Sequence, residues 1–204
     1  MGKPLMKRVL FIDNFDSFTY NLVDDFCKRG CEATVYRADT DLKDLKAVAE
    51  RLRPDLLVIS PGPGSPRSAG VSMAAMDAFK AAIPILGVCL GHQVIVEYFV
   101  GTVGHAPSPV HGKPSRVTHD GRGLFSGIEN PMQAGRYHSL VATVVPECLQ
   151  VTATFNGLVM AVQHKEYPVY GVQFHPESIL TPAGGRIIEN VLALAASHRA
   201  EVSV

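Results

Sequence analysis

The chain has 204 residues, 47% hydrophobic and 19% charged, and its 19 basic and 19 acidic side chains cancel to a formal net charge of zero. That length can bury a sizeable core without disulfide or metal staples, as a single domain over residues 1–204. The balanced charge, with no Lys/Arg run longer than two residues, leaves no footprint for nucleic acid and no attraction to an anionic membrane surface.

Met1 to Met6 is short and polar and lacks the apolar stretch of a signal peptide. Met6 also stands where a myristoylation pattern needs Ser or Thr. No apolar run reaches the roughly 18 residues of a membrane-spanning helix. A cytoplasmic protein is the expectation. Arg8 to Ile12 is a compact apolar run and reads as a buried strand. Asp16 and Ser17 are placed to cap the next helix, in which Phe18, Leu22 and Phe26 recur on one face until Gly30 stops it. Glu32 to Arg37 is a second strand, Leu42 to Leu52 a helix and Asp55 to Ser60 a third strand. A Gly/Pro-rich loop from Pro61 to Gly70 follows. Val71 to Lys80 is a helix, Ile83 to Val88 a strand and Leu90 to Phe99 a helix. Strands alternating with helices imply βαβ units around a parallel sheet, with ligands beyond the carboxyl ends of its strands.

After residue 100 short strand-like runs are broken by turns such as Asp120-Gly121 and Ser126-Gly127. Leu149 to Phe155 and Leu158 to Gln163, joined by Asn156-Gly157, read as a hairpin. Val169 to Phe174 is another apolar strand, and a last helix runs from Pro182 to about Ser197. The expected fold is α/β: three layers with a mostly parallel central sheet flanked by helices, and a small antiparallel annex.

The four cysteines are Cys27, Cys31, Cys89 and Cys148. Cys27 and Cys31 have no second Cys/His pair at zinc-ligand spacing, so no metal site is expected. Cys89 is different. Gly87-Val88-Cys89-Leu90-Gly91 lies between an apolar strand and a helix, in the form of a nucleophile elbow with sulfur replacing oxygen. The turn lifts the side chain above the sheet, the helix N-terminus favours negative charge on it, and the Leu90 amide is placed to donate to an oxyanion.

A nucleophilic thiol needs a proton acceptor. Among eight histidines, His175 ends an apolar strand, and Glu177 lies two residues on, where an extended chain points the same way. Glu177 is therefore placed to orient the ring. His138, in the cluster Arg136-Tyr137-His138-Ser139-Leu140, is chemically a rival base. The Ser60-Pro61-Gly62-Pro63-Gly64-Ser65-Pro66 loop lacks the Gly-Lys-Ser/Thr ending of a phosphate-binding loop. It reads either as a rigid turn or as the second half of an oxyanion hole. Gln93 is one helical turn past Cys89, on the same face, and is placed to meet a polar substrate. His92 beside it points elsewhere and is read as structural.

Pro61-Gly62-Pro63-Gly64, Gly87-Val88-Cys89-Leu90-Gly91-His92-Gln93 and Gly171-Val172-Gln173-Phe174-His175-Pro176-Glu177 together resemble the class I, triad-type glutamine amidotransferase family. Asp13-Asn14-Phe15-Asp16-Ser17-Phe18-Thr19-Tyr20-Asn21-Leu22, His111-Gly112-Lys113 and Arg136-Tyr137-His138-Ser139-Leu140 resemble its narrower branch that serves chorismate-using synthases. The resemblance implies Cys89 as nucleophile, His175 as general base and acid, and Glu177 as orienting carboxylate. It implies oxyanion-hole amides at Gly62 and Leu90, and a glutamine site formed by Gly62, Pro63, Gly64, Leu90, Gln93, Ser139 and Leu140. Tyr98-Phe99-Val100-Gly101 departs from it, because this branch usually has a Gly-Gly pair there.

The reaction so implied is hydrolysis of L-glutamine through a thioester, with the ammonia passed on. Ammonia released at neutral pH is mostly protonated and cannot attack an acceptor. The resemblance therefore implies a separate chorismate-binding synthase subunit in a heteromer, with Mg²⁺ in that partner and no cofactor in this chain. Anthranilate for the tryptophan route is the first expectation for its product. Aminodeoxychorismate for the folate route, or both, is the alternative. A stand-alone cysteine hydrolase of γ-glutamyl compounds competes with this reading. A non-catalytic relative would have lost Cys89, His175 or Glu177, and all three are present.

Overall fold

The computed structural model describes residues 7–202, so the reading of Met1 to Met6 lies outside the described residues. In chain order the elements are β1 (Arg8–Asp13), α1 (Thr19–Cys27), β2 (Glu32–Arg37), α2 (Leu42–Leu52), β3 (Leu56–Ile59), α3 (Ser72–Phe79), β4 (Ile85–Val88) and α4 (Leu90–Tyr98). They continue with β5 (Thr102–His105), β6 (Lys113–His119), β7 (Met132–Arg136), β8 (Leu140–Val144), β9 (Leu149–Phe155), β10 (Leu158–His164), β11 (Val169–Val172) and α5 (Gly184–Val202).

Among the described residues a nine-stranded sheet runs in the order β2-β1-β3-β4-β11-β10-β9-β6-β7. The pairings from β2 to β11 are parallel and those from β11 to β7 antiparallel. A separate two-stranded antiparallel sheet joins β5 to β8. The antiparallel annex thus has two parts, one extending the main sheet and one standing apart from it. β11 joins the two halves, between β4 and β10.

The layers follow from the two-residue alternation of side chains along strands. Val9 and Phe11 of β1 pack with Leu56 and Val58 of β3 against α1 and α5, through Leu22, Phe26, Ile187 and Val191. Leu10 and Ile12, with Leu57 and Ile59, pack the other way against α2, α3 and α4, through Leu45, Met76 and Ile95. The β9–β10 turn matches its sequence signal, with Asn156 at φ 47° and Gly157 at φ 78°, the left-handed pair of a tight hairpin turn.

Three local expectations change. Asp16 and Ser17 do not cap α1: its N-cap is Phe18, with no side-chain cap bond. The Asp16 carboxylate instead accepts the Phe18 N–H at 2.7 Å, one residue too early. The strand expected to reach Phe174 ends at Val172, because the chain bends there so that His175 bridges Gly135 of β7. The last helix starts at Gly184 and runs on to Val202. Among the described residues no helix is long and apolar enough to cross a membrane.

Candidate active site

The candidate residues gather beyond the carboxyl ends of β1, β3, β4 and β11. Cys89 is the N-cap of α4 and has φ 52° and ψ −100°, a backbone state that costs a non-glycine residue about 1–3 kcal/mol and persists only where its surroundings enforce it. The enforcement is visible. The Cys89 N–H donates to the Val172 carbonyl at 2.8 Å, and its own carbonyl accepts the Gln93 N–H at 3.1 Å. The flanking glycines are required by contact. A Cβ on Gly87 would lie 2.4 Å from the Gly91 backbone, and one on Gly91 would lie 2.2 Å from the Ile59 carbonyl oxygen. The elbow therefore presses α4 onto β3 and leaves Cys89 at the carboxyl end of β4, 7% exposed.

His175 is held on all sides except one. Its N–H donates to the Gly135 carbonyl at 3.1 Å, and its Nδ1 donates to Glu177 Oε1 at 2.7 Å. The rings of Tyr137 and Phe18 meet it edge-on, with centroids at 5.1 and 5.3 Å. Nε2 is buried, with no hydrogen-bond partner among the described residues. Burial works against charge on this ring, but the nearby Cys89 and then Glu177 outweigh it and push its pKa up from 6.5 to about 10. The Glu177 side chain is itself fully buried.

The loop after β3 is pinned by Asn14. The Asn14 N–H donates to Ser60 Oγ at 2.9 Å, its side-chain amide donates to the Ser60 carbonyl at 3.1 Å, and Ser72 Oγ donates to its Oδ1 at 3.0 Å. Gly62 lies between Asn14 and Leu90, since a Cβ there would be 2.5 Å from Asn14 Cβ and 2.7 Å from Leu90 Cδ2. The two amides expected to form an oxyanion hole thus belong to touching residues. Gly64 has φ +83°, and it and Pro63 are exposed at the loop tip.

Gln93 is buried on the elbow helix, but its side-chain amide already donates to the Leu140 carbonyl at 3.1 Å and to Gln173 Oε1 at 3.2 Å. Only its oxygen is left for a ligand. Ser139 is exposed, and its carbonyl accepts the Ala106 N–H at 2.8 Å. Leu140 opens β8, so the small sheet carries both residues to the site. His138 differs from His175 in that its ring meets a carbonyl rather than a carboxylate. Burial, then the charge of Arg136, lowers its pKa to about 4, and its Nδ1 donates to the Leu140 carbonyl at 3.1 Å, while its Nε2 is buried with no hydrogen-bond partner among the described residues. His92 is wholly buried, and burial lowers its pKa to about 3, in keeping with a structural role. Among the described residues no group of three or more His, Cys, Asp or Glu could hold a metal ion.

The model of the family "Glutamine amidotransferase class-I" matches residues 10–195. The chain belongs to the class I glutamine amidotransferase family. Within it, the chain is 46% identical over 184 residues to the Haemophilus influenzae protein named anthranilate synthase component 2, a match covering 90% of this chain and 95% of that one. It is 47% identical over 197 residues to the Bacillus subtilis protein named aminodeoxychorismate/anthranilate synthase component 2, covering 95% and 98%. The crystal structure of a GMP synthase-type protein from Thermoplasma acidophilum superposes with a TM-score of 0.87 over 98% of both chains, at 25% identity.

In this amidotransferase chain several site residues escape a reading by chemistry alone. Gln173 Nε2 lies 3.7 Å from the Cys89 sulfur. It stands two residues before His175, where the chain bends out of β11. Phe18 had the spacing of a core residue and instead lines His175. Asn14 could not be told from an ordinary turn residue.

Proposed function

We propose that this chain hydrolyses L-glutamine and delivers the ammonia to a chorismate-using synthase partner, as the glutaminase component of anthranilate synthase. The observation that carries this reading is the convergence of a strained cysteine at a helix N-cap with the His175–Glu177 pair, whose ring interacts with Cys89. The names of the relatives support the choice of synthase.

On this reading Cys89 attacks the side-chain carboxamide carbon of glutamine. The oxyanion is met by the amides of Gly62 and Leu90, and loss of either donor costs about 3 kcal/mol, on the order of a hundredfold or more in rate. His175 protonates the departing ammonia, then takes a proton from water, which attacks the thioester and releases glutamate. Glu177 holds the ring and balances its charge. Pro63, Gly64, the Gln93 oxygen, Ser139 and Leu140 surround the amino-acid end of glutamine. Nucleophile, acid–base group and oxyanion donors all come from protein atoms, so no cofactor is assigned to this half-reaction. Mg²⁺ is assigned to the partner.

The Bacillus subtilis relative, whose name covers both products, favours a second reading in which one glutaminase serves the anthranilate and aminodeoxychorismate synthases alike. Glutamate release by wild type and Cys89→Ser, assayed with each synthase in turn, tests both readings. Wild type with one synthase or both should be active, and Cys89→Ser should be reduced to background. Full-speed hydrolysis by Cys89→Ser would refute the mechanism.

A further inference from the structure

Thr181 lies outside every motif discussed above, yet it is only 4% exposed and sits at a junction. Its hydroxyl donates to the His175 carbonyl at 2.7 Å and accepts the Gly135 N–H at 2.9 Å. The His175 N–H returns to the Gly135 carbonyl at 3.1 Å, closing a ring of three hydrogen bonds. Thr181 is also fixed by its own backbone: its N–H donates to the Ser178 carbonyl at 2.8 Å, and its carbonyl accepts the Gly184 N–H at 2.9 Å. The packing leaves no slack. A Cβ on Gly135 would lie 2.8 Å from Ser178 Oγ, and one on Gly184 would lie 1.7 Å from the Pro176 carbonyl oxygen.

The reason for such a device lies in the end of β11. The ladder stops at Val172, so His175 has left the regular pairing that fixes a strand residue. We propose that the Thr181 hydroxyl takes the place of the missing ladder partner and acts as a positioning residue, holding the His175 backbone so that Nε2 stays aimed at Cys89. This rests on the reading of His175 as the acid–base residue. Without the hydroxyl the His175 carbonyl keeps only the Ser178 N–H at 3.2 Å, and the Gly135 N–H loses its acceptor. Misplacement of a reacting group by about 1 Å costs on the order of a hundredfold.

The test uses the full chain in complex with its synthase. Thr181→Val keeps the shape and removes the hydroxyl, Thr181→Ser restores it, and Thr181→Ala replaces the valine variant if that does not fold. Two quantities are measured: glutaminase kcat and KM, and the pH profile of iodoacetamide alkylation at Cys89, followed on its own peptide by mass spectrometry. Thr181→Val is expected to lose on the order of a hundredfold in kcat with KM little changed. Its alkylation profile should move toward that of an unpaired thiol, and Thr181→Ser should recover most of both. The proposal is overturned by a valine variant within a few-fold of wild type, by a serine variant as slow as valine, or by slow turnover with a wild-type alkylation profile. Cys89→Ser, run alongside, separates the two levels: if it still hydrolyses glutamine, the catalytic reading of the site itself falls.

Discussion

Glu177 keeps its side chain out of solvent and gives one oxygen to His175, while its other oxygen has no partner among the described residues. Such an arrangement is costly unless the facing ring carries charge. Glu177→Gln keeps the shape and removes that charge, so glutamine turnover should fall on the order of a hundredfold or more, read by glutamate release. The sign of the pH effect follows from the direction of the shift. The His175 pKa is raised from 6.5 to about 10, so folding favours the protonated ring. Its stabilising contribution is complete below the ordinary histidine value and is lost as pH rises toward 10. Thermal unfolding between about pH 6 and pH 10 should therefore weaken more steeply in wild type than in Glu177→Gln. Parallel curves would leave Cys89, the larger of the two raising influences, as the cause. The pairing of His175 with Glu177 was legible from their closeness in sequence, although Pro176 and Glu177 form a turn and not the extended segment expected. The neutrality of His138 was not, because it depends on burial that only tertiary packing creates.

The helices and strands carry a different lesson. Just past the C-cap of α4 stands Val100, which has φ 69° and is 88% exposed. The Gly101 N–H reaches back to the Val96 carbonyl at 2.8 Å, so the turn requires a left-handed residue and a β-branched one has been fitted to it. Val100→Gly relieves a cost of about 1–2 kcal/mol, partly offset by glycine's extra freedom when unfolded, for a net gain of about 1 kcal/mol. Denaturant unfolding checks this, and glutaminase activity should not change, since the helix exit is remote from Cys89. A loss of stability would mean that the valine methyls make contacts worth more than the backbone strain. Here the sequence showed the departure from the family pattern and the backbone shows its cost. Long amphipathic and buried elements such as α2 and β1 announce themselves by period. The four-residue β5, paired only with β8, does not, because Thr102 to His105 is too short and too glycine-interrupted to display one.

At the scale of the whole molecule, three large apolar side chains remain exposed beside the site: Phe15 at 49%, Tyr20 at 66% and Ile179 at 95%. Phe15 adjoins Asn14, which pins the Pro61 loop, and Ile179 follows Glu177 by two residues. A synthase docking there would press on both walls of the site, so glutamine turnover by the complex should exceed that of the isolated chain. Equal rates for the two would show that docking does not set the geometry. The sheet order has a consequence for how the protein is made. β11 lies between β4 and β10, so within the sheet the parallel half and the antiparallel half are joined by a strand made after both of its neighbours. Until that strand arrives, the thiol made long before it has no imidazole beside it. On the proposed mechanism, a growing chain that has not yet reached residue 175 has a nucleophile with no acid–base partner, so glutamine hydrolysis waits for the segment that follows β11.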